Sequence, residues 1–141
     1  MYPHLRNEAR WVLPEVLAFQ AATRGDKTFV GMIDGSGLTY AEAEEQAGRV
    51  AGFLAGLGVK PGDTVAVMLP NGLDFVRVWL GLGRLGAIMV ALNTDLKGGF
   101  LEHQLENAGA ALAIVADGLV ERITDIAPRL TALRRLVAGA G

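Results

Sequence analysis

The chain contains no cysteine, a single serine and only three lysines. Without cysteine it can form no disulfide, no thiolate nucleophile and no cysteine-ligated zinc or iron–sulfur site. The serine is Ser36, the lysines are Lys27, Lys60 and Lys97, and the two histidines, His4 and His103, lie far apart. An excess of one charge is also missing. Thirteen basic residues face 15 acidic ones, a formal net charge of −2, with no block of either sign. That balance argues against nucleic acid or an anionic membrane as the main partner. Long apolar runs are absent too. The most apolar stretch, residues 78–92, carries Arg84 inside it and falls short of the roughly 20 residues a membrane helix needs. The opening MYPHLRNEARWV has no apolar run after a basic start, so it does not read as a secretory signal. A soluble, cytoplasmic protein is expected.

What is present suits a folded core. Of 141 residues, 51% are hydrophobic and 20% charged, so one ordinary domain without disorder is expected. Leu13, Val16, Leu17 and Phe19 give a helical period over residues 12–23. TFVGMI at 28–33, a tight Asp34-Gly35-Ser36-Gly37 turn and Leu38-Thr39-Tyr40 read as a hairpin. Thr39 and Glu42 have capping-box spacing. The helix they open places Ala43, Ala47, Val50, Ala51 and Leu54 on one face, and Gly58 is its expected stop.

Beyond Lys60-Pro61-Gly62-Asp63, short apolar runs alternate with helical patterns. Strands are expected at 64–69, 87–92, 111–116 and 135–138. Helices are expected at 73–84, where apolar residues nearly all round imply deep packing, after Asn93-Thr94-Asp95, and from Asp117 to Pro128. This alternation predicts an α/β fold: a parallel sheet with right-handed crossovers and helices on both faces, preceded by a helix and a short hairpin.

Most of the candidate motifs read as architecture. Gly81-Leu82-Gly83-Arg84-Leu85-Gly86 matches G-x-G-x-x-G. The dinucleotide motif follows a strand and opens a helix, whereas this one closes a helix before a strand. Ser36 sits between glycines in a turn, with no G-x-S-x-G elbow and no base nearby. His103 and Glu106 share a helix face at three residues' spacing, too few ligands for a metal site. No G-x-x-x-x-G-K-S/T loop occurs, and Trp11 and Trp79 read as core or interface residues. Arg84 stands apart. It closes an apolar helix, where a cation suits the C-terminal dipole.

Three segments together resemble the start of an adenylate-forming, AMP-binding acyl-CoA synthetase. Leu38-Thr39-Tyr40-Ala41-Glu42 is similar to that family's Leu-(Thr/Ser)-Tyr-x-Glu-Leu helix start. Gly58-Val59-Lys60-Pro61-Gly62-Asp63-Thr64-Val65-Ala66, running on to Leu69-Pro70-Asn71, is similar to its GVKPGDRVALLLPN segment. Residues 84–93, from Arg84 to Asn93, resemble its KAGAVVVPLN segment, and residues 96–114 continue the likeness. Each segment alone is weak; their order and spacing carry the resemblance. Two positions depart from the pattern, Ala91 for the usual proline and Ala43 for the usual leucine, and both are conservative for packing.

The resemblance implies a flavodoxin-like subdomain, and residues 1–141 as a partial N-terminal domain, truncated before the phosphate loop of a fatty-acid–CoA ligase type of enzyme. Such enzymes use ATP and Mg²⁺ to convert a carboxylic acid to an acyl-adenylate, then pass the acyl group to CoA. The family's phosphate loop, its ribose-gripping acid and its adenylation lysine do not occur here. No catalytic or metal-binding residue is therefore assigned, the chain alone is expected to be inactive, and no cofactor is expected to bind it tightly. In the CoA-forming branch a basic residue at the position of Arg84 can lie near the CoA phosphates, which makes Arg84 the one cofactor-binding candidate. Surface bared by truncation is expected to promote self-association. A free-standing α/β binding or interaction module is the second reading, and a nucleotide-binding oxidoreductase domain the third.

Overall fold

In the computed structural model, which describes residues 7–139, the capping box at Thr39 is fully formed. The Glu42 amide donates to Thr39 Oγ1 at 3.2 Å, and the Thr39 amide donates to Glu42 Oε2 at 2.8 Å. Two N–H groups that a helix start leaves without partners are thereby satisfied. The helix they open is α2, Tyr40–Gly56. It is preceded by α1, Leu13–Arg24, and by an antiparallel hairpin of β1, Thr28–Gly31, and β2, Gly37–Thr39. The helix buries Ala43, Ala47, Ala51 and Leu54, the face expected from the sequence. At its end the Gly58 amide bonds Ala55 O and the Val59 amide bonds Leu54 O. Gly58 has φ +92°, so this is a Schellman stop at a position where a Cβ would be strained.

The described residues form two compact units that interleave along the chain. Residues 7–59 group with Val76–Gly86; Lys60–Phe75 group with residues 87–139. No composition shift marks these crossings.

Within the first unit, α3 (Leu73–Leu85, from Val76 on) lies against α2. Arg77 Nε donates to Gln46 Oε1, and Gly81 meets Val50 so closely that a Cβ there would stand 2.5 Å from Val50 Cγ1. The first glycine of the G-x-G-x-x-G match is thus a contact point between helices. The last, Gly86, has φ +79° and ends the helix. Packing of α3 is shallower than its apolar sequence implies. Only Leu80, Gly81 and Leu82 are buried, and Trp79 is 40% exposed. Trp11, at 58% exposed, is likewise no core residue.

The second unit is built on a four-stranded parallel sheet in the order β4-β3-β5-β6. The strands are β3, Thr64–Met68; β4, Ile88–Ala91; β5, Leu112–Ala116; and β6, Arg135–Gly139. From β3 the chain steps to one side for β4, then crosses back to the other side for β5. Val65–Met68 of β3 and all of β5 are buried, so both faces of the central strands are covered. On one face Ala66, Met68, Ala113 and Val115 pack with Leu101 and Leu105 of α4, Gly98–Ala108, and with Ile123 of α5, Val120–Thr124. Burying each such leucine contributes about 1.5–3 kcal/mol. β4 is an edge strand with Ile88 54% exposed, not the buried strand its apolar sequence suggests.

Two helices differ from expectation. α4 starts at Gly98 rather than just after Asn93. Asn93 Oδ1 accepts from the Asp95 amide at 2.9 Å instead, closing a turn, and Gly98 has φ +57°, which blocks helical continuation toward residue 95. The helix expected from Asp117 to Pro128 is three short pieces: a 3-10 turn Asp117–Leu119, α5, and a 3-10 turn Ala127–Arg129 containing Pro128. Asp117 makes no cap bond, and Pro128 has no N–H to continue a helix.

Gly81 and Gly83 make a matched test. Gly→Ala in a helix interior gains about 1 kcal/mol from propensity. Overpacking against Val50 costs about 1–3 kcal/mol. A methyl group on Gly83 would meet nothing within 4 Å. Gly83→Ala is therefore expected to raise Tm and Gly81→Ala to lower it, with Val50→Ala partly restoring Gly81→Ala. Thermal unfolding of the three variants checks this.

Candidate functional site

The loops after β3 and β4 leave the sheet side by side, because the two strands are parallel neighbours with Val67 opposite Ala91. The ladder is extended by the Leu92 amide, which donates to Val67 O at 2.8 Å. Between the loops lies a cleft of about 400 Å³, lined by Leu69, Pro70, Asn71 and Phe75 on one side and Ala91, Leu92, Asn93 and Thr94 on the other. Open parallel sheets bind ligands outside the carboxyl ends of their strands, which is where this cleft lies. Five of its eight lining residues are apolar, and its polar side chains are two carboxamides and one hydroxyl. No titratable side chain lines it, so it can hold and orient a ligand but cannot itself move a proton.

Composition and motif spacing do not single out these positions. The signal is present in the sequence, however: two of the three segments that carry the family resemblance end in Leu69-Pro70-Asn71 and Ala91-Leu92-Asn93, and both endings line the cleft.

Arg84, the cofactor-binding candidate, is not among the lining residues. It occupies the last turn of α3, and its Nη1 donates to Glu44 Oε1 of α2. The guanidinium lies over Gly48, whose missing Cβ would stand 3.7 Å from Arg84 Cζ. Arg84's side chain is 44% exposed and that of Glu44 24%. The pair is thus a half-exposed bridge between helices, a kind of contact that contributes little to stability.

The remaining candidates are held in structural roles. Ser36 Oγ and the Ser36 amide both donate to Asp34 Oδ1, at 2.6 and 2.8 Å. These bonds lower the Asp34 pKa, and they leave the serine tied to a carboxylate in an exposed turn. His103 is exposed on α4. Its neighbours Glu102 and Glu106 turn elsewhere: Glu102 Oε2 accepts from Arg129 Nε at 2.6 Å, and Glu106 accepts from both the amide and hydroxyl of Thr131 at 2.6 Å. His4 lies outside the described residues. Among the described residues no cluster of three or more His, Asp or Glu could hold a metal ion, and no helix is long and apolar enough to cross a membrane.

The family model of AMP-binding enzymes matches residues 17–139. The chain belongs to the AMP-binding enzyme family. Human long-chain fatty acid transport protein 6 is 33% identical over 127 residues, 89% of this chain and 20% of that protein. The long-chain-fatty-acid–CoA ligase of Salmonella typhimurium is 37% identical over 109 residues, 75% of this chain and 19% of the enzyme. Among solved structures, the anthranilate CoA ligase AuaEII in complex with anthranoyl-AMP superposes with a TM-score of 0.86 at 26% identity, covering 96% of this chain and 26% of that one. A long-chain-fatty-acid–CoA ligase from Archaeoglobus fulgidus gives 0.84 at 25% identity, covering 94% and 28%. The α/β architecture with a four-stranded parallel sheet flanked by helices is that of these enzymes. The chain spans about a fifth of the length of the curated relatives it matches.

Thr131 holds the Glu106 carboxylate below its ordinary pKa, side-chain bond first and main-chain bond second. A depressed folded-state pKa means this contact is intact above the ordinary value of 4.5 and is lost as pH falls below it. An NMR titration is expected to place the Glu106 midpoint below 4.5, with Thr131→Ala moving it back up. A midpoint that Thr131→Ala leaves unchanged contradicts the assignment.

Proposed function

We propose that residues 1–141 form the opening part of the N-terminal domain of an ATP-dependent acid–CoA ligase, standing before its phosphate loop. The longer protein joins a carboxylic acid to the AMP portion of ATP, releasing pyrophosphate, and then passes the acyl group to the CoA thiol with release of AMP. The observation that carries this reading is the family match over residues 17–139, with acid–CoA ligases recurring among the relatives. The substrate is a carboxylic acid, and the names of several relatives favour a fatty acid. The reading places the protein in the cytoplasm, with ATP, Mg²⁺ and CoA as the cofactors of the longer protein.

The chain alone is inactive in this reading. Adenylation needs groups that grip polyphosphate and stabilise charge at the transferring centre. The cleft offers only Asn71, Asn93 and Thr94 as polar side chains. Those groups suit a ligand-facing wall completed by the rest of the enzyme.

Arg84 serves the CoA phosphates in this scheme. Its guanidinium is always charged and has donors beyond the Nη1 that meets Glu44. An incoming phosphate competes with Glu44 for it. In the longer protein, Arg84→Ala is expected to raise KM for CoA about tenfold, the loss of one charge-assisted contact, and to spare ATP–pyrophosphate exchange. Glu44→Gln is expected to lower KM for CoA. An unchanged KM in Arg84→Ala rejects this role. ATP–pyrophosphate exchange by the 141-residue chain itself contradicts its inactivity.

The outer edge of β4 is unpaired in its sheet, and Ile88 on it is exposed. The chain in isolation is therefore expected to self-associate, and a clean monomer by light scattering counts against that.

A further inference from the structure

The loop between β4 and α4, residues 92–97, supplies one wall of the cleft through Leu92, Asn93 and Thr94. Leu92 is buried in the core and Leu96 packs against it. Asn93 accepts from the Asp95 amide through Oδ1 and from the Leu96 amide through its carbonyl, at 2.9 and 3.1 Å. At the far end Lys97 makes no side-chain cap bond to α4. A further anchor comes from a distant part of the chain. Arg122 on α5 is part-buried, and its Nη1 donates to the carbonyl oxygens of Thr94 and, at 3.3 Å, Leu96.

We propose that Arg122 is a positioning residue for the cleft, holding the main chain at residues 94–96 and so setting the wall that carries Asn93 and Thr94. Its importance for ligand binding rests on the cleft serving as a ligand-facing wall. The chemistry suits the task. The terminal guanidinium nitrogen carries two N–H donors in a fixed plane, so Nη1 can serve both carbonyls at once. Both acceptors are main-chain oxygens, so the bonds constrain peptide planes and not merely side chains. The Thr94 carbonyl and the Thr94 side chain share one Cα, so fixing the first restricts where the second points. The contact also crosses the sheet order: α5 follows β5, while the loop follows β4, and β3 lies between those strands. Arg122 therefore ties helix α5 to the β4–α4 loop, two segments that no ladder bond joins.

Amide hydrogen exchange on the 141-residue chain tests this without a ligand. The Asp95 and Leu96 amides report on the loop, and the Leu92 amide, bonded to Val67, reports on the sheet. In Arg122→Ala the exchange of Asp95 and Leu96 is expected to rise about tenfold relative to Leu92, the signature of local rather than global opening. Arg122→Lys, which keeps a charged donor on a flexible stem, is expected to recover part of the protection. Equal rises at all three amides, or no rise in a folded Arg122→Ala, overturn the positioning role. Should Arg122→Ala fail to fold, Arg122→Gln, able to serve one carbonyl, replaces it with an intermediate rise expected and no rise overturning. Failure of the cleft as a ligand wall appears elsewhere: Asn71→Ala and Asn93→Ala then leave the kinetics of the longer protein unchanged while the exchange result stands.

Discussion

The pairing of β3 on both of its edges is the constraint on which the second unit depends. Thr64 to Val67 pair with β4 and Val65 to Met68 pair with β5, in parallel on each side. A strand bonded on both edges and covered on both faces has no tolerance for slippage, because a one-residue shift sends every side chain to the opposite face. Ala66 and Met68 face the α4 core only in this register. The same register sets Val67 opposite Ala91, and that alignment makes the loops beginning at Leu69 and Leu92 emerge as neighbours. The cleft is thus a consequence of strand pairing before it is a property of its lining residues.

Much of the architecture is legible in the sequence because its causes are local. The capping box needs only Thr39 and Glu42 at fixed spacing, and the Schellman stop needs only a glycine at 58. The continuous apolar runs of β3 and β5 report burial on two faces directly. What escapes is decided at a distance. The β4 run looks like that of β3, yet its place at the sheet edge leaves Ile88 exposed; strand order sets that difference, not composition. Asn93 carries a side chain equally able to cap a helix or close a turn, and the φ of Gly98 settles the choice. Trp79 sits in an apolar helix whose buried face is narrow, three residues around the close approach of Gly81 to Val50.

The site is less legible than the fold for a related reason. Arg84 stands out in sequence as a charge within an apolar stretch, and its partner, Glu44, lies 40 residues away. The cleft has the opposite character. Leucine, proline, alanine and asparagine carry no chemical label, and only their convergence at one sheet edge makes them a surface. Arg122 is invisible for the same cause: nothing in VERIT announces that its arginine reaches back to the carbonyls of Thr94 and Leu96.

The scarcity of reactive residues takes on a physical meaning once the carboxylates are followed to their partners. Glu42 closes a helix, Glu44 and Glu102 bridge to arginines, Glu45 pairs with Arg49 along α2, Glu106 binds Thr131, Asp34 closes a hairpin turn and Asp63 accepts from the Lys60 amide at 2.8 Å. Exposed pairs of this kind add little stability one by one, but all except the Glu45–Arg49 pair lie where an element starts, turns or meets another. For Asp34 and Glu106 the hydrogen bonds lower the pKa, which makes these two poorer general bases near neutrality. These seven carboxylates therefore shape the scaffold, and none of them lines the cleft.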